Sequence, residues 1–192
     1  MGTCHFASMA IVDGNPAIAY QSTGTTADLY YVRAAVADGS AWGAPFCAEL
    51  AVFANAVGIR PQLAIISGNP AICYQADLPP NRPCFVRSND TTGNVGWSPG
   101  VPLDNSDPCD SGLFSSMAEV DGIVYVAYYD ALNVCLMCVR STDATGSAWD
   151  TPKVVDSGWN VGSYCSIANI NGHPAIAYYN ADREALQYAV MY

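Results

Sequence analysis

The chain has few charged residues and very few basic ones. Only 12% of its 192 residues are charged, and seven Lys and Arg against 17 Asp and Glu give a net charge of −10 at pH 7. Nucleic acids and anionic membranes would repel such a chain, so neither is expected as a partner. No apolar run reaches the roughly 18 residues of a membrane-spanning helix. The amino terminus lacks a basic segment followed by an apolar stretch, so we expect export with a removed signal or within a longer precursor.

Hydrophobic residues make up 51% of the chain, which is typical of a folded domain, and eight of them are cysteines. An even cysteine set favours disulfides and an extracellular or cell-surface location over the reducing cytosol. The candidate pairs are Cys73 with Cys84 and Cys4 with Cys165. A metal site is not expected, because the one Cys-x-x-Cys pair, Cys135 and Cys138, falls in a strand where positions i and i+3 point to opposite faces. No cofactor is predicted.

A motif close to Gly-x-Pro-Ala-Ile-Ala-Tyr occurs four times, intact or blurred. Its leading glycines, Gly14, Gly68, Gly122 and Gly172, are 54, 54 and 50 residues apart. Each glycine ends an Asp-Gly, Ser-Gly or Asn-Gly dipeptide that suits a two-residue hairpin turn between two strands. A third β-rich segment follows, and in the first three units a tryptophan-containing fourth. Four short strands per unit of about 50 residues are typical of a propeller blade.

The sequence therefore predicts an all-β protein, a single β-propeller domain over residues 1–192. Its four blades of four-stranded antiparallel sheet would span approximately residues 1–56, 57–110, 111–160 and 161–192. Only 20 residues follow Gly172, so the last blade is predicted to lack its outer strand. The four blades either close into a small ring or form an arc of a larger one. An unpaired strand edge is a template for strand addition, so a homo-oligomer or polymer is expected unless the sequence simply stops within a repeat.

Residues 141–149, Ser-Thr-Asp-Ala-Thr-Gly-Ser-Ala-Trp, resemble the Asp-box hairpin of sialidase-like propellers, with a spacing one residue longer. The whole unit is similar to tandem repeats of large bacterial surface and secreted proteins. This resemblance covers nearly the entire chain. It implies a propeller fold and an extracellular location, and it says little about activity.

Three arginines, Arg33, Arg87 and Arg140, end the third strands of successive units. A sialidase-like hydrolase would hold a substrate carboxylate with arginines on non-equivalent loops, whereas these follow the repeat. Periodic residues are usually structural, since a catalytic constellation breaks the symmetry of a repeat. The two histidines, His5 and His173, adjoin no nucleophile motif. No catalytic residue is predicted.

Aromatic residues that recur in the repeat are the candidates for ligand binding. They either fill the cores between blades, which is the favoured interpretation, or offer stacking surfaces for sugars. The candidates are Tyr20, Tyr74, Tyr128 and Tyr178 on the second strands, with Trp42, Trp97 and Trp149 nearby. Asn89 begins an Asn-Asp-Thr acceptor tripeptide for N-glycosylation in a loop.

These features predict a non-enzymatic extracellular scaffold, a surface-layer or filament subunit that assembles by completing its open last blade. The alternative is a lectin-like adhesin that binds glycans at repeated sites. A sialidase-like glycoside hydrolase ranks third.

Overall fold

The computed structural model describes residues 3–23, 27–50, 56–77, 80–106 and 108–192. Within these ranges every regular element is a β-strand. The same ranges contain no helix that is long and apolar enough to cross a membrane. The strands are β1 Cys4–Val12, β2 Asn15–Ser22, β3 Leu29–Arg33, β4 Phe46–Glu49, β5 Ile59–Ile66, β6 Asn69–Ala76, β7 Arg82–Arg87, β8 Val101–Pro102, β9 Ser111–Val120, β10 Ile123–Asp130, β11 Cys135–Arg140, β12 Lys153–Asp156, β13 Val161–Ile170, β14 His173–Asn180 and β15 Ala185–Val190.

The strands form four antiparallel sheets in chain order, each one blade of a β-propeller. Blades 1, 2 and 3 are the four-stranded sheets β1–β4, β5–β8 and β9–β12, and blade 4 is the three-stranded sheet β13–β15. The predicted blades are confirmed, including the missing outer strand of the last one.

The first two strands of each blade meet at the predicted two-residue turn. In blade 1, Val12 pairs with Asn15 across the turn residues Asp13 and Gly14, whose φ angles are 44° and 79°. Positive φ at both positions matches the right-handed twist of the flanking strands, which explains why Asp-Gly and its relatives recur at this point.

The tryptophans predicted to lie in the fourth strand instead lie just before it. Trp42, Trp97 and Trp149 each form an isolated bridge to the residue that follows the third strand, and the fourth strand begins several residues later. The Trp97 ring packs on Tyr31 of the preceding blade, with ring centroids 5.2 Å apart. The fourth strand is therefore anchored across the boundary between two blades.

Three hydrophobic cores hold the blades together, one between each pair of consecutive blades. The inner strands β1, β5, β9 and β13 contact one another in that order. Among the described residues no comparable core joins blade 4 to blade 1. The outward face of blade 1 leaves Met9 exposed, and that of blade 4 leaves Leu186 exposed. The four blades are thus an open arc.

A glycine near the start of the inner strands of blades 2, 3 and 4 permits this close packing. Residues Gly58, Gly112 and Gly162 lie against the third strand of the preceding blade, and a Cβ atom on them would meet its nearest neighbour at 3.0, 2.5 and 2.7 Å respectively. Cys4 occupies the equivalent position in blade 1, against which no further blade packs among the described residues. A side chain there is compatible with the open face.

Both predicted disulfides are wrong. Cys84 pairs across the sheet with Tyr74, so the adjacent Cys73 points to the opposite face and lies in a different core. Cys4 is exposed in blade 1, whereas Cys165 is buried in the core between blades 3 and 4. All eight thiols are free.

Candidate functional site at the end of the inner strands

Every inner strand carries a β-bulge eight residues before the motif glycine. The bulged residues are Phe6, Arg60, Phe114 and Tyr164, and their φ angles are 47°, 48°, 57° and 54°. The pairing with the second strand shifts register at each of these points. A left-handed conformation costs a residue with a Cβ roughly 1–2 kcal/mol. Bulges next to functional sites serve to redirect a side chain.

The four redirected side chains form a continuous row, which we call the axial row. The Cζ atom of Arg60 lies 5.2 Å from the ring centroid of Phe6 and 4.9 Å from that of Phe114. The Phe114 and Tyr164 ring centroids are 4.2 Å apart. One side chain from each inner strand therefore contacts the next, across the end of the propeller at which these strands begin.

The axial row is accessible from solvent. The residue Phe6 is 46% exposed and Tyr164 is 70% exposed, while Arg60 and Phe114 between them are half-buried. Large aromatic rings are normally buried when they serve only to pack. Their exposure at a strained, repeated position makes the axial row the candidate site for a ligand.

Further aromatic and polar groups extend the row at both ends. The His5 imidazole lies beside Phe6, with ring centroids 6.0 Å apart, and the Tyr179 ring meets Tyr164 edge-on at 6.5 Å. A separate pair lies before β13 and after β14: the exposed Trp159 carries the Arg183 guanidinium over its ring at 5.1 Å, and among the described residues no ring contact joins this pair to the axial row.

Side chains at the ends of the second strands fix where the next inner strand begins. Buried Gln21 donates its amide N–H to the carbonyl oxygen of Val57 at 2.9 Å, and Gln75 donates to that of Ser111 at 3.1 Å. These equivalent residues hold the chain at the starts of β5 and β9 against the preceding blade. They therefore help to set the spacing of Arg60 and Phe114 in the axial row.

The second-strand tyrosines of blades 2 to 4 belong to the cores. Tyr74, Tyr128 and Tyr178 are buried, so their rings are not available to stack on a ligand. The Tyr178 hydroxyl donates to Asp156 of the preceding blade at 2.7 Å, and burial together with this bond raises the pKa of Tyr178 to about 12. Their role is to bind one blade to the next. Tyr20 instead stacks on Tyr30 at the outward face of blade 1.

Tyr128 makes the same kind of hydrogen bond to a buried carboxylate. Its hydroxyl donates to Asp104 of blade 2 at 3.0 Å. Burial works to raise the pKa of Asp104, yet hydrogen bonds from Ser106, Tyr128 and Ser111 together hold it below its usual range. The buried Asp104 carboxylate therefore has a structural role, and its oxygens already accept hydrogen bonds from within the protein.

The predicted tryptophans lie away from the axial row. Trp149 packs on Phe85 as Trp97 packs on Tyr31, and both are half-buried. Of these three tryptophans, Trp42 alone is exposed. Structural packing accounts for two of the three.

The repeated arginines are structural, as the sequence predicts. Arg33 and Arg87 each donate from Nε to the backbone carbonyl before the first hairpin turn, Val12 at 2.8 Å and Ile66 at 2.9 Å. Arg140 instead pairs with Asp150 at 2.7 Å.

Asn89 is exposed in the loop after β7, so its glycosylation stays a prediction. The part of the chain that the structure describes contains no group of three His, Cys, Asp or Glu placed to hold a metal ion. Oligomeric state also stays a prediction.

Sequence reasoning missed the axial row, although a signal for it was present. The four bulged residues have the same 54, 54 and 50 residue spacing as the motif glycines. A large side chain therefore stands at the same position of every repeat, eight residues before the motif glycine. The strand alternation gave no reason to expect that they converge.

No protein-family model and no curated protein match this chain. Solved structures do match it in fold. An α-L-arabinofuranosidase from Podospora anserina, solved with cellotriose, has a TM-score of 0.60 at 10% identity over 99% of this chain and 64% of its own. The Bacillus subtilis arabinanase has 0.57 at 14% over 97% and 72%. An ulvan lyase bound to a GlcA and Rha3S saccharide has 0.65 at 12% over 96% and 55%.

These matches contradict two predictions, that the protein is a non-enzymatic scaffold and that it is not an enzyme. Proteins that share the fold are glycoside hydrolases and a polysaccharide lyase, so the regularity of the repeat does not argue against catalysis. At 10–14% identity the likeness shows the fold alone. The chain spans just under two thirds of the length of the first two structures matched, at 64% and 65%.

Proposed function

We propose that this chain forms the saccharide-binding part of a polysaccharide-cleaving enzyme, and that the axial row binds sugar units of the substrate. The observation that carries the proposal is the repeated bulge, which brings Phe6, Arg60, Phe114 and Tyr164 together at one exposed end of the arc. Structures that share the fold support it: an arabinanase, a hydrolase in complex with xylotriose, and an ulvan lyase bound to a GlcA-containing saccharide.

Aromatic rings suit this role for a physical reason. The C–H groups on one face of a sugar ring form an apolar patch that packs on an aromatic face, while the hydroxyls at its rim remain free for water or polar side chains. Phe6 and Tyr164 present large, partly free rings with few rotatable bonds, so little conformational entropy is lost on binding. The His5 imidazole and the Tyr179 hydroxyl at the two ends of the row supply polar partners.

The backbone strain also favours a functional row. Four bulky residues in the left-handed region cost roughly 1–2 kcal/mol each. Strain of this kind is retained where the surrounding structure holds it and function uses it. The four bulged residues lie outside the hairpin turns and belong to none of the three inter-blade cores.

The matched structures include both hydrolases and a lyase, so the assay must detect either reaction. Hydrolysis yields new reducing ends only, whereas elimination at a uronate also yields an unsaturated, ultraviolet-absorbing product. A polymeric substrate agrees with the extracellular location that the composition predicts.

The test is a binding titration by isothermal calorimetry with cellotriose, xylotriose, arabino-oligosaccharides and an oligouronate. Tyr164→Asn removes the ring from the row, and asparagine tolerates the left-handed backbone, so the bulge is preserved. Tyr188→Asn is the matched control, because Tyr188 is a 59% exposed tyrosine on the outward face of blade 4.

We expect one saccharide class to bind the native chain, Tyr164→Asn to weaken it at least about tenfold, or about 1.4 kcal/mol, and Tyr188→Asn to leave it unchanged. Equal weakening by both variants, or binding by none of the saccharides, contradicts the proposal. Cleavage products are then sought with the saccharide that binds.

A further inference from the structure

We propose that Arg60 makes the axial row selective for a sugar that carries a carboxylate, a uronate. This inference rests on the proposed function, because it assigns the charge of the saccharide that the row binds.

Arg60 has an unusual environment for a cation in an acidic protein. Its guanidinium is flanked by the rings of Phe6 and Phe114, at 5.2 and 4.9 Å. Among the described residues its side chain has no ion pair and no hydrogen bond. By contrast, Arg33, which ends a strand, donates to two backbone carbonyls and lies 3.5 Å from a carboxylate oxygen of Asp13.

Contacts with aromatic rings hold a guanidinium in place without neutralising it. The rings interact with the delocalised cation and supply no acceptor for its N–H groups. Arginine carries five N–H donors in a planar fork that matches the two oxygens of a carboxylate. The row therefore presents an oriented cation, without an ion pair among the described residues, next to the exposed ring of Phe6.

The position of Arg60 in the repeat points the same way. The equivalent residues of the other three blades are Phe6, Phe114 and Tyr164, so the repeat places an aromatic ring here and blade 2 departs from it. A charged residue that is present in only one of the repeats acts at one place in the molecule, as a contact to a substrate does. The net charge of −10 makes an unpaired arginine on this surface still less expected from composition.

The experiment compares an oligouronate with the same oligosaccharide after its carboxylates have been reduced to alcohols, and with a sulfated neutral oligosaccharide. Each is titrated calorimetrically at pH 7 into the native chain and into Arg60→Gln and Arg60→Lys. Arg183→Gln is the control, because Arg183 is the other arginine whose contact is an aromatic ring, at 5.1 Å from Trp159.

We expect the native chain to bind the oligouronate about 10–100-fold more tightly than its reduced form, the range of one charge-assisted hydrogen-bonded pair. Arg60→Gln should abolish this preference and keep the weak binding of the reduced form. Arg60→Lys should retain only part of it, since an ammonium lacks the planar fork. Arg183→Gln should keep the full preference.

Equal binding of the acidic and reduced forms overturns the inference and leaves the proposed function standing. A preference for the sulfated saccharide overturns the assignment to carboxylate. Binding of neither form by the native chain also overturns the inference, and the proposed function is then decided by cellotriose, xylotriose and the arabino-oligosaccharides. Circular dichroism of each variant confirms that a lost preference does not come from unfolding.

Discussion

Replacing Gly112 with alanine should destabilise the protein far more than the same change at Gly122. Both glycines have positive φ, 88° and 76°. An alanine at either position would adopt a left-handed backbone conformation, which costs roughly 1–2 kcal/mol of stability. They differ in surroundings. A Cβ atom on Gly112 would lie 2.5 Å from the nitrogen and 2.8 Å from the Cα of Pro83 in the preceding blade, whereas one on Gly122 meets nothing within 4 Å.

The clash at Gly112 is with backbone, which cannot rotate away as a side chain can. Overpacking of this kind costs a further 1–3 kcal/mol or so. We therefore expect about 2–5 kcal/mol for Gly112→Ala and about 1–2 kcal/mol for Gly122→Ala, against a total stability of about 5–15 kcal/mol for a domain.

The assay is urea unfolding followed by circular dichroism, with the two variants compared at a common slope. Gly112 lies two residues before Phe114, so a displaced β9 should also weaken saccharide binding by the axial row. Equal losses of stability for the two variants would refute the account of blades packed through a glycine.

Three further outcomes follow from particular side chains. Tyr128→Phe should lower the unfolding free energy by about 1.5–3 kcal/mol, because a buried hydrogen bond to the Asp104 carboxylate is lost. Hydrogen bonds from Thr145 and its neighbours lower the pKa of Asp143, so the contribution of Asp143 to the free energy of unfolding is complete above the unfolded pKa of about 3.9 and is lost as the pH falls through the folded pKa. Asp143→Asn should therefore destabilise the protein at pH 7, and its stability should approach that of the native chain in acid. Urea midpoints measured across pH test this. Burial raises the pKa of Cys138 to about 12, so mass spectrometry should find exposed Cys4 alkylated well before it, and equal rates would be inconsistent with the fold.

The repeat made most of the fold predictable. Hairpin dipeptides such as Asp13-Gly14 demand positive φ, and the structure has it. The sequence also contains a partial indication of the open arc. Blade 1 has Cys4 at the position where the later blades have Gly58, Gly112 and Gly162. That substitution acquires meaning only when the close approach of neighbouring blades is known.

The axial row was beyond sequence reasoning for a physical reason. Alternation along a strand assigns each residue to one face, and a bulge breaks the alternation at one point. Whether Phe6 or Arg60 leaves its expected face depends on pairing with the second strand, which is a tertiary property. The same limit applies to Cys73 and Cys84, whose register places them on opposite faces.

The most direct test of the central claim is an NMR titration of the native chain with the tightest-binding saccharide, read at the aromatic side-chain protons. The account predicts that resonances of Phe6, Phe114 and Tyr164 shift together and saturate at one ligand concentration, while those of Tyr188 and Trp42 stay in place. Shifts confined to Tyr188, Trp42 or Tyr20, with the axial row unchanged, would contradict it.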